Sequence, residues 1–221
     1  MQKVDSLILE RMKSETLLIS EIASYILSSG GKRLRPMLAL ASSQMFETKD
    51  TSKDICLAAA VELIHTATLL HDDVVDTSKT RRGKKTANDK WGNQATILVG
   101  DFLFSRAFEL MVETDSIEVL KTLSLASYKI SEGEIKQLSS QNNPKTTREE
   151  YIEIITGKTA ELFSAACKAG ALISSTNKSH INKMSLYGLQ LGIAFQLIDD
   201  ALDYKSDTKM MGKEVGDDFK T

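Results

Sequence analysis

The residues best suited to chemistry stand at the ends of two apolar stretches. Ala58 to Asp76 reads AAAVELIHTATLLHDDVVD, and Phe195 to Tyr204 reads FQLIDDALDY. Each sets three aspartates at i, i+1 and i+4: Asp72, Asp73 and Asp76 in the first, then Asp199, Asp200 and Asp203 in the second. On a helix, i and i+4 share a face, and i+1 lies about 100° round from them. Carboxylates crowded at a helix C-terminus meet the negative end of the macrodipole, and a cation resolves that conflict. An all-oxygen set without His or Cys points to Mg²⁺ shared with a phosphate-bearing substrate. One such cluster reads equally as a solvated acidic surface; two copies, each closing an apolar helix, are hard to assign to accident. An EF-hand is excluded, because neither segment has ligands at alternating positions around a central Gly.

Basic residues supply the complementary half. Lys32, Arg33 and Arg35 lie just before a helix start, where backbone N–H groups also favour anions. Arg81 and Arg82 follow Asp76 by five and six positions, with Lys84 and Lys85 behind them. Arginine matches phosphate oxygens in bidentate geometry and stays charged, so an Arg pair beside a metal site reads as a diphosphate clamp. Taken alone, either basic cluster reads as an ordinary charged loop. His65, seven positions before the first motif, reads on its own as a satisfied buried imidazole.

The elements that must position these groups are helical. Residues 3–28 form one amphipathic helix with Val4, Leu7, Ile8, Leu18, Ile19, Ile22 and Ile26 on its apolar side. It stops at Ser28-Ser29-Gly30-Gly31. Pro36 suits the first turn of a second helix to about Phe46. The helix carrying the first motif runs from about Asp54 to Asp76, and a polar basic loop follows over 77–86. Further helices are expected over about 93–113, 117–138, 147–173 and 178–204. Thr147 with Glu150 has capping-box spacing at the start of the third of these. No segment alternates apolar and polar residues well enough to read as a strand. Gly100, Gly133, Gly157, Gly188 and Gly192 fall inside helices, where each costs stability unless helices pack closely there. The fold class is an all-α bundle of long helices.

Composition agrees and narrows the class. With 221 residues, 42% hydrophobic, the chain suits a single domain, 1–221, with a substantial core. A net charge of −2 gives no reason to expect nucleic acid. Cys56 and Cys167 stand alone, which fits buried thiols in a reducing compartment. No apolar run is read as membrane-spanning and the charged start is no signal peptide, so the protein is expected in the cytoplasm.

Taken in order, GGKRLRP (30–36), IHTATLLHDDVVD (64–76), RRG (81–83), GDFLF (100–104), GKTAEL (157–162), FQLIDDALDY (195–204) and GKEVGDD (212–218) resemble the trans-prenyltransferases. The likeness is nearest to bacterial octaprenyl and polyprenyl diphosphate synthases. It implies mostly antiparallel helices around a deep central cavity, normally in a homodimer. It implies that both aspartate triplets hold Mg²⁺, up to three ions, on the diphosphate of an allylic substrate such as farnesyl diphosphate. By the same likeness, Arg81, Lys158, Gln196 and Lys213 contact that diphosphate, while Lys32, Arg35, His65 and Arg82 receive isopentenyl diphosphate. The implied reaction is head-to-tail condensation to a long all-trans polyprenyl diphosphate for quinone side chains.

The family pattern normally continues past GKEVGDD with a second GK and roughly three to five further helices. The C-terminal part of the bundle is therefore expected to be missing, and a chain ending at Thr221 to be inactive or poorly active. A class I terpene cyclase is the rival enzyme, but it carries an NSE-type second motif and lacks GGKRLRP. A non-catalytic subunit of a heteromeric synthase is the other alternative, although such subunits tend to lose aspartates that are all present here. Small residues at Ala67 and Thr68, five and four positions before Asp72, leave room for a growing chain one turn (about 5.4 Å) below the chemistry.

Overall fold

The computed structural model describes residues 1–46, 51–140 and 146–205. Among these, ten α-helices follow one another: α1 Gln2–Arg11, α2 Leu17–Ser28, α3 Leu34–Gln44, α4 Thr51–Val75, α5 Ala87–Trp91, α6 Asn93–Glu113, α7 Ile117–Ser140, α8 Arg148–Ile155, α9 Glu161–Ser174 and α10 Lys178–Lys205. A π-helical turn, Thr156–Ala160, joins α8 to α9.

Two helices form the centre. α4 packs against α1, α3, α5, α6 and α9, and buries Leu57 through Ile64 without a break. α9 lies against α3, α4, α7 and α10 and buries Leu162 to Cys167 together with Ala169, Gly170 and Ala171. Both are rich in alanine at these positions, which lets neighbouring backbones come close while the larger Leu57, Leu63, Ile64 and Phe163 fill the space between them. By length and composition α4 could cross a membrane, with a mean hydropathy of 1.3 in its most apolar window. That revises the sequence reading. Yet 67% of the window is buried inside the protein, as expected for a core helix.

Elsewhere the structure differs from the sequence reading at four joints. The first helix is two, α1 and α2, because the apolar pattern lapses between Met12 and Leu17 and polar side chains take over the backbone. Ser14 Oγ accepts the Thr16 N–H at 3.1 Å, and Ser20 Oγ accepts the Ser14 N–H at 3.4 Å. The basic loop contains a hairpin of β1 Thr80–Arg81 and β2 Lys84–Lys85, in register Thr80 to Lys85 and Arg81 to Lys84. Its two-residue turn, Arg82-Gly83, has φ of 53° and 73°, the left-handed pair a tight hairpin requires. α5 is a single extra helical segment. The expected helix over 147–173 starts at its capping box, with Thr147 Oγ1 accepting the Glu150 N–H at 3.2 Å, but widens into the π turn midway.

Candidate active site

The first aspartate motif closes α4. Asp73, turned away from the face shared by Asp72 and Asp76, is buried and ion-paired: its Oδ1 accepts Arg81 Nε at 2.8 Å and Nη2 at 2.7 Å. The hairpin delivers Arg81 to this point. Asn88 Nδ2 anchors the connection by donating to the backbone oxygens of Asp73 (2.9 Å) and Ser78 (3.1 Å). Burial pushes the Asp72 carboxyl up to about 7; Glu134 and Asp76 add to the effect, while Lys158 and Arg81 oppose it.

The π turn faces this cluster. It is held to α7 by Gly133 and Gly157: a Cβ on Gly133 would lie 2.8 Å from the Lys158 backbone N, and one on Gly157 would lie 3.3 Å from the Gly133 Cα. This close approach brings Lys158 Nζ to 3.0 Å from the Glu134 carboxylate. Burial alone would lower the Lys158 pKa, but Asp72, Glu134 and Asp76 outweigh it and the net shift is upward. Lys158 is therefore a fixed cation beside the first motif.

The next residue on the turn reaches the second motif. Thr159 Oγ1 donates to Gln196 Oε1 at 2.7 Å, and Gln196 Nε2 donates to Asp200 Oδ1 at 2.7 Å. Tyr151 of α8 donates its hydroxyl to the other oxygen, Asp200 Oδ2. α10 can sit so close because Gly192 meets Ala160 of the turn, where a Cβ would come within 2.6 Å of the Ala160 Cα. Asp199 is exposed and Asp203 is buried. Two consecutive residues, Lys158 and Thr159, thus connect the π turn to both motifs.

The basic cluster surrounds His65. Arg35 Nη1 donates to His65 Nε2 at 3.2 Å, and the Arg35 guanidinium stacks 4.5 Å from the Phe163 ring centre. Burial lowers the His65 pKa well below 6.5, and Arg35, Arg82, Arg81 and Arg33 lower it further, so the ring is neutral and accepts through Nε2. Arg35 is itself pushed down to about 10, chiefly by burial and then by Arg82, with Glu62 and Asp199 opposing. Its Nε is buried with no hydrogen-bond partner among the described residues, a donor suited to an incoming anion. Arg82 Nη1 donates to the Gly30 carbonyl. Arg33, in the left-handed region at φ 50°, is committed to Glu62 and to Asp5 Oδ1 at 3.3 Å.

Of the residues singled out from sequence, Asp72, Asp73, Asp76, Arg81 and Lys158 come together on one side. Asp200 and Gln196 are joined on the other, and Arg35, His65 and Arg82 form the basic cluster. Lys32 is exposed. Ala67 is wholly buried in the core, while Thr68, half-buried, donates its hydroxyl to the His65 carbonyl at 2.8 Å. Lys213 lies outside the described residues. Among the described residues no three His, Cys, Asp or Glu side chains converge closely enough to hold a metal ion unaided. Sequence reasoning missed Glu134, Tyr151, Thr159 and Glu62. Thr159 stood inside the GKTAEL motif, whereas the other three carried no local signal, since their partners lie 24 to 49 positions away.

Residues 16–221 match the family model described as polyprenyl synthetase. The chain belongs to the polyprenyl synthetase family. It is 46% identical over 219 residues to octaprenyl diphosphate synthase of Escherichia coli (strain K12), covering 99% of this chain and 68% of that protein. It is 42% identical to the all-trans-nonaprenyl-diphosphate synthase (geranyl-diphosphate specific) of Rhodobacter capsulatus, covering 98% of this chain and 66% of the relative. Among solved structures, polyprenyl synthase from Caulobacter crescentus CB15, complexed with calcium and isoprenyl diphosphate, superposes with a TM-score of 0.95 at 50% identity. That match covers 98% of this chain and 66% of the solved one. The chain thus spans about two thirds of the length of these polyprenyl synthetase relatives. Their enzyme class, prenyl transfer, and their all-α fold are those expected from the motifs.

Proposed function

We propose that this chain carries the active site of a long-chain all-trans polyprenyl diphosphate synthase, condensing isopentenyl diphosphate head-to-tail with an allylic diphosphate such as farnesyl diphosphate. The observation behind this reading is the division of charge around the π turn. Two aspartate motifs meet Lys158 and Thr159, and a second basic cluster of Arg35, Arg82 and neutral His65 offers charge to a second anion. Two diphosphates need two such sites.

The donor set fits Mg²⁺. It is all oxygen, and burial beside Asp76 and Glu134 raises the Asp72 carboxyl in the way an added divalent cation would relieve. Asp72 and Asp76, with Asp199 and Asp203, would hold up to three ions together with the substrate; Asp73 and Asp200 are engaged by Arg81 and by Tyr151 and Gln196. Bound Mg²⁺ supplies charge neutralisation for the departing diphosphate. The protein's own groups do the rest. Lys158, Arg81, Gln196 and Lys213 orient the allylic diphosphate, and Lys32, Arg35, His65 and Arg82 bind isopentenyl diphosphate. The C–O bond to the allylic diphosphate breaks, its electron pair leaves with the diphosphate, and the isopentenyl double bond attacks the resulting cation before a proton is lost. Exclusion of water protects that cation.

The same reading gives a homodimer in the cytoplasm, with product passed to membranes for quinone side chains. The exposed apolar residues Leu98, Phe108 and Val112 share one face of α6 and suit a self-complementary interface. Ala67 and Thr68 are the proposed chain-length positions, within one domain spanning 1–221.

The deciding measurement is extension of farnesyl diphosphate by radiolabelled isopentenyl diphosphate with Mg²⁺, run on this chain and on a version continued past Thr221. Incorporation into long prenyl products is expected in the continued version. Hydrocarbon released from farnesyl diphosphate alone would mark a cyclase instead, and no incorporation in either would sink the reading.

A further inference from the structure

We propose that Tyr151 is a positioning residue of the second aspartate motif: together with Gln196 it occupies both oxygens of Asp200, and so sets how the rest of that motif meets its cation. This rests on the synthase reading above.

Asp200 Oδ1 takes the Gln196 amide N–H at 2.7 Å, and Oδ2 takes the Tyr151 hydroxyl. The Gln196 side chain has no freedom to turn over: its oxygen accepts Thr159 Oγ1 at 2.7 Å, and a flip would set that oxygen against the Asp200 carboxylate, acceptor against acceptor. The two donors come from different elements. Gln196 is on α10, one turn before Asp200, and Tyr151 is on α8, whose start is pinned by the Thr147–Glu150 capping box. Tyr151 therefore ties α10 to α8 at the carboxylate, while Thr159 ties it to the π turn through Gln196.

A phenol has one proton to give, and here its acceptor is fixed. A carboxylate oxygen can only accept, so the hydroxyl is held as the donor. The first motif has a counterpart: its middle aspartate, Asp73, is also taken by two donor groups, both from Arg81. In both motifs the carboxylate about 100° off the shared face is spent on the scaffold. In the second, one of the two donors is an aromatic residue outside every motif in the sequence.

The test uses the chain as it is, with farnesyl thiolodiphosphate, an unreactive allylic diphosphate analogue, titrated calorimetrically over a range of Mg²⁺. Tyr151→Phe removes one hydroxyl and keeps the ring. A hydrogen bond to a charged group supports an expectation of about a tenfold rise in the half-saturating Mg²⁺, with affinity at saturating Mg²⁺ and the melting temperature near wild type. An unchanged Mg²⁺ midpoint overturns the proposal. So does a lowered melting temperature with an unchanged midpoint, which would make Tyr151 a packing residue only. The same titration is run on the version continued past Thr221, and if neither shows Mg²⁺-dependent binding of the analogue, the synthase reading fails and this proposal with it. Asp199→Ala, expected to lose Mg²⁺-dependent binding, separates the cases: its failure to do so counts against the parent reading, not against Tyr151.

Discussion

Asp73 and Arg81, eight positions apart, form a double contact in which one carboxylate oxygen takes both Nε and Nη2 of the guanidinium. The pair ties the end of α4 to the hairpin and engages one of three neighbouring carboxylates. Asp72 and Asp73, adjacent in sequence, should therefore respond differently to substitution. Asp72→Ala is expected to abolish Mg²⁺-dependent binding of an allylic diphosphate analogue with little change in stability. Asp73→Asn is expected to retain binding at about a tenth of the affinity and to cost about 1–3 kcal/mol, since it weakens a largely buried charged hydrogen bond whose partner is partly exposed. Calorimetric titration and urea unfolding on both variants check this; equal loss of binding would show Asp73 serving the cation directly.

Gly133→Ala should damage both the fold and the site. The added Cβ would lie 2.8 Å from the Lys158 backbone N and 3.0 Å from the Gly157 carbonyl carbon, and neither can swing aside as a side chain tip can. Overpacking of this kind costs about 1–3 kcal/mol. Separating α7 from the π turn would also part Lys158 from Glu134. The expected outcome is a lower melting temperature and weaker diphosphate binding together, read by calorimetry and titration. Wild-type values for both would mean that the turn relaxes freely.

This contact also shows how far the sequence could be read. Both aspartate triplets, the basic residues and the helical class follow from residue type and periodicity, because i, i+4 spacing and apolar faces are local properties. The glycines stood out as costly inside helices, but the partner each one admits is set by tertiary packing. The same holds for Glu134 and Tyr151. Their chemistry is ordinary, and only the crossing of α7 with the π turn, and of α8 with α10, gives them a place. The break between α1 and α2 was visible as a gap in the apolar pattern at Met12 to Leu17. The π turn had no such mark, since Thr156–Ala160 continues the helical pattern on either side.

His65 gives a stability prediction with a definite sign. In the folded protein its pKa lies well below 6.5, through burial and then the charges of Arg35, Arg82, Arg81 and Arg33. Unfolding releases the ring to its ordinary value, so below about pH 6.5 the unfolded chain binds a proton that the folded chain refuses. Stability is complete above that value and falls as pH drops through it, at up to about 1.4 kcal/mol per pH unit from this group. Urea unfolding of wild type and His65→Asn between pH 7.5 and 5 checks this. The variant should lose less stability over that range, and parallel curves would mean that the ring takes up its proton alike in the folded and unfolded chain.

Ala67→Tyr tests the proposed chain-length wall. On α4, Thr68 lies about 40° and Ala67 about 140° round from Asp72, so the two positions look in different directions below the motif. Ala67 is wholly buried among core residues, and a phenol ring there has to displace its neighbours. If those neighbours border the path of the growing chain, the ring will fill that path about 7.5 Å along the helix below Asp72. In an active version continued past Thr221, the expected result is a product ladder cut to short chains, with the first addition to farnesyl diphosphate preserved. The bulk should also cost about 1–3 kcal/mol of stability. Chromatography of radiolabelled products separates the two effects. Loss of stability with an unchanged ladder would mean that Ala67 only packs the core, and would leave Thr68, on the side of Asp72, as the position to substitute with an aromatic ring.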